Sequence, residues 1–186
     1  MNAKHLELCA SAEWAETVQK YILPWVLDHV ELGDDVLEIG PGPGRTTDVI
    51  AEVAPRLTAV EIDEALAEAL AARAPTHVTV VQADASAMPL ADGRFSAALS
   101  LTMLHHVPTT ELQDAIFREV ARVLRPGGVF AGQDSRDSPE FRELHVDDIC
   151  VPIDPNTLGG RLEAAGFTSV EVTPNGYATR FRAVRA

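Results

Sequence analysis

The chain has 186 residues, 28 of them acidic and 15 basic, for a formal charge of −13, with 46% hydrophobic and 23% charged positions. That is one folding unit with an ordinary globular core, which excludes intrinsic disorder and a small disulfide-dependent scaffold. So negative a surface repels phosphate backbones and anionic lipid heads, and the arginines are scattered instead of striped, so neither nucleic acid nor a membrane is an expected partner.

The opening residues, MNAKHLELCASAEWAE, lack the apolar run of a secretion signal, and nowhere are there about 18 consecutive apolar residues. Cys9 and Cys150 stand far apart with no CxxC and no ligand cluster, so neither a disulfide framework nor a zinc site is expected. A soluble, cytoplasmic protein fits both. Between residues 10 and 30, Trp14, Val18, Tyr21, Ile22, Trp25 and Val26 recur at helical spacing with Pro24 interrupting, which predicts two short helices or one kinked helix.

Asp34-Asp35 lead into a short apolar strand, VLEIG, that ends in Gly40-Pro41-Gly42-Pro43-Gly44. A helix from Thr46 to Ala54 follows and stops near Pro55. LTAVEID is a second strand with Glu61 and Asp63 at its carboxyl end, and EALAEALAARA a second helix. HVTVVQAD is strand three, ending at Asp84, and FSAALSLT is strand four after the Asp92-Gly93 turn. ELQDAIFREVARVLRPGG carries Leu112, Ile116, Val120 and Val123-Leu124 on one helical face before a Pro-Gly-Gly stop and strand five, VFAGQDS. An irregular stretch, a helix TLGGRLEAAGF, and a hairpin of SVEVTP and YATRFRAV around Asn175-Gly176 complete the chain.

Strands alternating with helices predict a doubly wound α/β fold, its mostly parallel sheet covered on both faces, with an antiparallel element from the terminal hairpin. Ligands of such sheets sit beyond the carboxyl ends of the strands where the winding reverses. Glycines at 40, 42 and 44 permit a tight turn and let a ligand press on the backbone. Glu61, about 20 residues further on and at the end of the next strand, can accept both hydroxyl protons of a ribose, or else, like Asp63, cap the helix that follows. The glycines are spaced GxGxG and not GxGxxG, and Glu38 just before the loop suits a ligand amino group better than a pyrophosphate.

VLEIGPGPG, AVEID, QADASAMPL, SAALSLTMLHHV and VLRPGGVF, in that order over roughly residues 34 to 132, resemble the small class I SAM-dependent methyltransferases of the UbiE-like, type 11 group. The resemblance implies a Rossmann-like three-layer sandwich with a seven-stranded sheet and one antiparallel strand near its C-terminal edge. It implies one domain over 1–186, with a helical lid (1–32), a cofactor-binding core (33–132) and a substrate-side segment with the hairpin (133–186). S-adenosylmethionine is then the cofactor. Its methionine part is expected on the loop of Gly40, Gly42 and Gly44, its ribose on Glu61 and its adenine stacked on Ile62. Asp84 would accept from the adenine amino group, with Ala85 addressing the ring through its backbone and Ser100 beside the amino-acid end; Asp84 could instead cap a helix beginning at Ser86.

Methyl transfer from a sulfonium needs chiefly in-line positioning, and a base only where the acceptor is protonated at neutral pH. His105 and His106, after strand four, are the candidate bases; their side chains are expected to diverge, so that at most one serves. Trp14 and Tyr21 are lid candidates, although aromatic residues at helical spacing also build cores. Asp134, Asp137, His145, Asp147 and Asp148 lack a diagnostic metal spacing and read as a solvated loop lining the acceptor pocket, so no metal is expected. SLTMLHHV departs from the Asn-or-Asp-Pro-Pro-aromatic run of enzymes that methylate exocyclic base amines, and neither cysteine stands near a cofactor motif in the sequence, so the expected acceptor is a small molecule. A catalytically silent SAM-binding accessory or sensor protein and an NAD(P)-linked oxidoreductase are the competing readings, and a homodimer is left open.

Overall fold

Val36–Ile39 forms β1 and is buried at every position, as a strand covered by helices on both faces must be. The computed structural model describes residues 1–186. The other strands are β2 (Leu57–Glu61), β3 (Val78–Gln82), β4 (Phe95–Leu101), β5 (Leu124–Ser135), β6 (Phe167–Pro174) and β7 (Ala178–Arg185). They form one seven-stranded sheet of order β3-β2-β1-β4-β5-β7-β6. β1 to β5 pair in parallel, and β7 runs antiparallel to both β5 and β6. The fold is the expected doubly wound Rossmann-like sandwich, and its single antiparallel strand lies one place in from the edge.

The helices are α1 (Ala3–Ala10), α2 (Ala12–Thr17), α3 (Leu23–Val26), α4 (Arg45–Ala51), α5 (Glu64–Ala71), α6 (Thr110–Val123), α7 (Pro139–Leu144) and α8 (Pro155–Ala164). Successive strand residues point to opposite faces, which gives the sheet two cores. Leu37 and Ile39 join Phe117 and Val120 of α6 and Leu158 and Leu162 of α8. Val36 joins Val18, Leu23 and Val26 of the N-terminal segment and Val49 and Ile50 of α4. Phe117, Phe130 and Phe181 are fully buried in the first core, each stabilising the fold by roughly 2–3 kcal/mol through area removed from water.

Three local features differ from the expected pattern. No helix separates β3 from β4; the Arg122 guanidinium of α6 donates instead to the carbonyls of Met88 and Leu90 and so satisfies the connecting loop. β5 begins before the Pro-Gly-Gly, at Leu124, and its register with β4 shifts between Phe95↔Leu124 and Ala97↔Val129, a bulge that absorbs Pro126 to Gly128. The N-terminal helices bend through a π-helical turn at Val18–Ile22, where the N–H of Leu23 donates to the carbonyl of Val18. Pro24, which lacks an N–H to donate, follows directly on this turn within the same unbroken helical run.

Candidate functional site

β1 and β4 are neighbours in the sheet but not in sequence, so the winding reverses between them, and a cavity of about 590 Å³ opens at the carboxyl ends of β1 to β4. That is the size and place expected for a ligand in this architecture. Its wall contains Gly40 to Pro43, Glu61 to Asp63, Ala83 to Ser86 and Leu101 to Met103, with Met1, Leu6, Cys9 and Trp14 covering one side. Arg45 donates to the carbonyl of Ala10, which ties the covering helices to the glycine loop.

Gly40, Gly42 and Gly44 all have left-handed backbones, with φ of 66°, 55° and 83°, yet they act differently. A Cβ on Gly40 would collide with Met103, and one on Gly44 would lie 2.5 Å from the Leu70 and Arg73 side chains. At Gly42 only the tip of Met1 comes near, at 3.7 Å. Gly40 and Gly42 therefore face the cavity, whereas Gly44 caps α4, packs beneath α5 and forms no part of the wall.

Glu61 is 6% exposed and reaches the cavity wall. Its carboxylate accepts from the N–H of Gly42 at 2.8 Å and of Asp63 at 3.0 Å, so it shapes the glycine loop as well as facing the ligand space. Asp63 takes the capping role, accepting from the N–H of Leu66, which leaves Glu61 free for the cavity. Ile62 stands 63% exposed beside it as an apolar shelf. Asp84 and Ala85 also line the cavity; Asp84 accepts from the N–H of Ser86, but a turn follows there and no helix.

Glu38 and Ser100 are not in the wall. Glu38 is 1% exposed and accepts from the hydroxyls of Thr46 at 2.5 Å and Thr47 at 2.6 Å, with burial pushing its carboxyl up to about 7. It braces the first turn of α4, whose Thr46 does reach the cavity. Ser100 is fully buried inside β4, and only the next residue, Leu101, reaches the wall. Tyr21 is likewise no lid residue: it is 70% exposed, on the outer side of the π-helical turn, while Trp14 does line the cavity.

His105 and His106 do not diverge. They follow β4 in a 3₁₀ turn, Leu104–His106, and their ring centroids are 4.2 Å apart. Both join His5 of α1 and His145 at the end of α7 in a cluster to which each ring brings one nitrogen within 4.8 Å of the others. Nδ1 of His105 donates to Oδ1 of Asp134 at 2.6 Å, and Nδ1 of His145 donates to the Phe141 carbonyl at 2.7 Å. Burial, reinforced by the neighbouring rings, pushes His5 down to about 4 and His106 down to about 3, and burial also lowers His145. His5, His106 and His145 are therefore neutral imidazoles at neutral pH. His106 lines the large cavity; His5, His105 and His145 line a smaller pocket of about 70 Å³ beside it.

The segment read as a solvated acidic loop divides in two. Asp134 and Asp148 have side chains only 1% and 5% exposed and face the histidines, whereas Asp137 pairs with Arg142 at the surface and Asp147 is exposed. His5 had no local signal, since the residues it meets lie a hundred or more positions away. Cys9, remote from every cofactor motif in sequence, nonetheless lines the cavity, and burial pushes its thiol up to about 11, which keeps it protonated and a poor nucleophile.

A family model described as a methyltransferase domain matches residues 37–132. A probable S-adenosylmethionine-dependent methyltransferase of Mycolicibacterium smegmatis is 36% identical over 104 residues, which cover 56% of this chain and 39% of that protein. Sterol methyltransferase-like 3 of Botryococcus braunii is 31% identical over 146 residues, covering 72% and 36%. The chain thus spans about two fifths of the length of these relatives. A SAM-dependent methyltransferase from Aquifex aeolicus shares the fold over 100% of both chains, with a TM-score of 0.78 at 17% identity. No helix is long and apolar enough to cross a membrane.

Proposed function

Because the chain belongs to the methyltransferase-domain family, we propose that it transfers the methyl group of S-adenosylmethionine to a small, largely apolar acceptor held beneath the N-terminal helices. When bound, the cofactor supplies a methyl on a sulfonium centre with a neutral leaving group. The observation that carries the reading is Glu61, a carboxylate facing the cavity beside the open position at Gly42. With Ile62 as a shelf and Asp84 and Ala85 at the end of β3, the wall offers in one row an acceptor for ribose hydroxyls, an apolar face for a purine and polar groups for its edge.

On the far side the wall is formed by Leu6, Trp14, Val107, Leu112, Ile116 and Ile149, a surface suited to an apolar acceptor. The name of the Botryococcus relative, sterol methyltransferase-like, supports an acceptor of that character. His106 is a weak general base, because an imidazole held near 3 does not retain a proton taken at neutral pH. His105 is turned to the smaller pocket. The chain therefore acts by aligning an acceptor whose nucleophilic atom is already free of its proton, while the apolar wall excludes water.

Calorimetric titration with S-adenosylmethionine, S-adenosylhomocysteine and NADH, followed by a transfer screen over apolar acceptors with radiolabelled methyl donor, tests this reading. Micromolar binding of the two sulfur compounds with labelled product is the expected result. Binding of NADH alone overturns the cofactor assignment, and tight binding of the sulfur compounds with no transfer favours an accessory protein.

A further inference from the structure

Four imidazole nitrogens, Nδ1 of His5, Nδ1 of His106, Nε2 of His105 and Nε2 of His145, are buried without any hydrogen-bond partner. One such atom is an ordinary exception, but four come from three distant stretches of the chain, on rings that each bring a nitrogen within 4.8 Å of the others, and they share a single missing partner. We propose that these four histidines bind one divalent transition-metal ion of the zinc, cobalt or nickel class.

Two of the four lone pairs are fixed by their own rings' other nitrogen. With Nδ1 of His105 engaged by Asp134 and Nδ1 of His145 by the Phe141 carbonyl, the proton of each ring is on Nδ1 and Nε2 is left as a donor of electrons. A carboxylate and a backbone carbonyl behind ligating histidines are the usual outer-shell partners of a metal site. A tetrahedral ion with bonds of about 2.0–2.1 Å needs nitrogens about 3.3 Å apart, so small side-chain movements close the cluster on the ion. Asp148 lies on the ligand side of the two other rings, with Oδ2 4.0 Å from Nδ1 of each of His5 and His106, and it also accepts from the Asn2 N–H and pairs with the Met1 ammonium. Asp134 and Asp148 bring two carboxylates to the ion in a buried place, the second of them shared with the Met1 ammonium. All-imidazole ligation selects borderline metals over magnesium and calcium, which require oxygen.

The ion would join α1 through His5, the turn after β4 through His105 and His106, and the end of α7 through His145. It would thereby fasten the N-terminal helix over the cavity. This proposal does not rest on methyl transfer, and its test reads the metal alone. The full chain is stripped with a chelator and titrated with Co²⁺ while its visible d–d absorption is followed, with Mg²⁺ as control; melting temperature is recorded with and without Zn²⁺.

One equivalent of Co²⁺ with the intense bands of four-coordinate nitrogen ligation, displaced by Zn²⁺, and a higher melting temperature with Zn²⁺ are expected. His145→Gln and His5→Gln should each lower Co²⁺ affinity at least tenfold while the far-ultraviolet circular dichroism stays unchanged. A wild-type chain that takes up less than a tenth of an equivalent, or a His145→Gln chain that keeps the full spectrum and affinity, overturns the proposal. The wild-type titration decides alone should a variant fail to fold.

Discussion

Nδ1 of His105 and Oδ1 of Asp134 meet at 2.6 Å, and both side chains are 1% exposed. The same carboxylate accepts from the His105 backbone N–H at 3.3 Å, so Asp134 orients the ring and anchors the turn that carries it. Asp134→Ala leaves both donors buried without a partner and should cost about 2–3 kcal/mol of folding stability. Asp134→Asn keeps an acceptor for one of them and should cost less. Urea unfolding measures both; equal stability of all three proteins would mean that the pair contributes nothing to the fold.

Glu61 makes a separate prediction. Glu61→Ala should weaken S-adenosylmethionine binding by roughly 1–3 kcal/mol through lost charge-assisted hydrogen bonds. Part of that loss comes from freeing the N–H groups of Gly42 and Asp63. Calorimetry that finds unchanged affinity would contradict the ribose assignment.

Glu38 links stability to pH. Burial raises its carboxyl from 4.5 to about 7, so the folded chain holds that proton more tightly than the unfolded chain. Its stabilising contribution is complete below pH 4.5 and is lost as pH rises through 7. Glu38→Gln can still pair with Thr46 and Thr47 and does not ionise. It should gain on the wild type between pH 5 and pH 8, by on the order of 2–3 kcal/mol. The comparison is a set of urea midpoints across that range, and a difference independent of pH would refute it.

Gly40 and Gly42 should respond differently to alanine. Both substitutions force a Cβ into a left-handed backbone, at about 1 kcal/mol or more. Gly40→Ala also drives into Met103 and should lose an additional 1–3 kcal/mol, roughly, from overpacking. Gly42→Ala meets open space and should instead chiefly weaken cofactor binding. Thermal melts and calorimetry run on both variants separate the two effects.

What could be read from the sequence was local. A strand, a glycine turn and a helix announce themselves within a few residues, and the carboxylate at the end of the next strand follows from the alternation of inward and outward positions. Gly40, Gly42, Glu61, Ile62, Asp84 and Ala85 accordingly line the cavity. Side-chain placement was harder to read. Glu38 and Ser100 sit on the expected strands but short of their carboxyl ends: Glu38 pairs with Ala59, two residues before Glu61 and on the same face, so it is covered where Glu61 reaches the rim. Tyr21, neither lid nor core, is exposed in the π-helical turn, whose extra residue shifts the helical face. The histidine cluster could not be read at all, since His5, His105 and His145 meet only after the sheet has formed.

β7 follows β6 in the chain yet lies between β5 and β6 in the sheet. β6 therefore has no place to dock until the residues after it have paired with β5. During synthesis the open edge of β5 would wait, with its backbone donors and acceptors unsatisfied, until Arg185 had left the ribosome. For that interval the nascent chain carries a bare strand able to pair with another copy, and its yield on expression should depend on holdase chaperones more than its folded stability suggests.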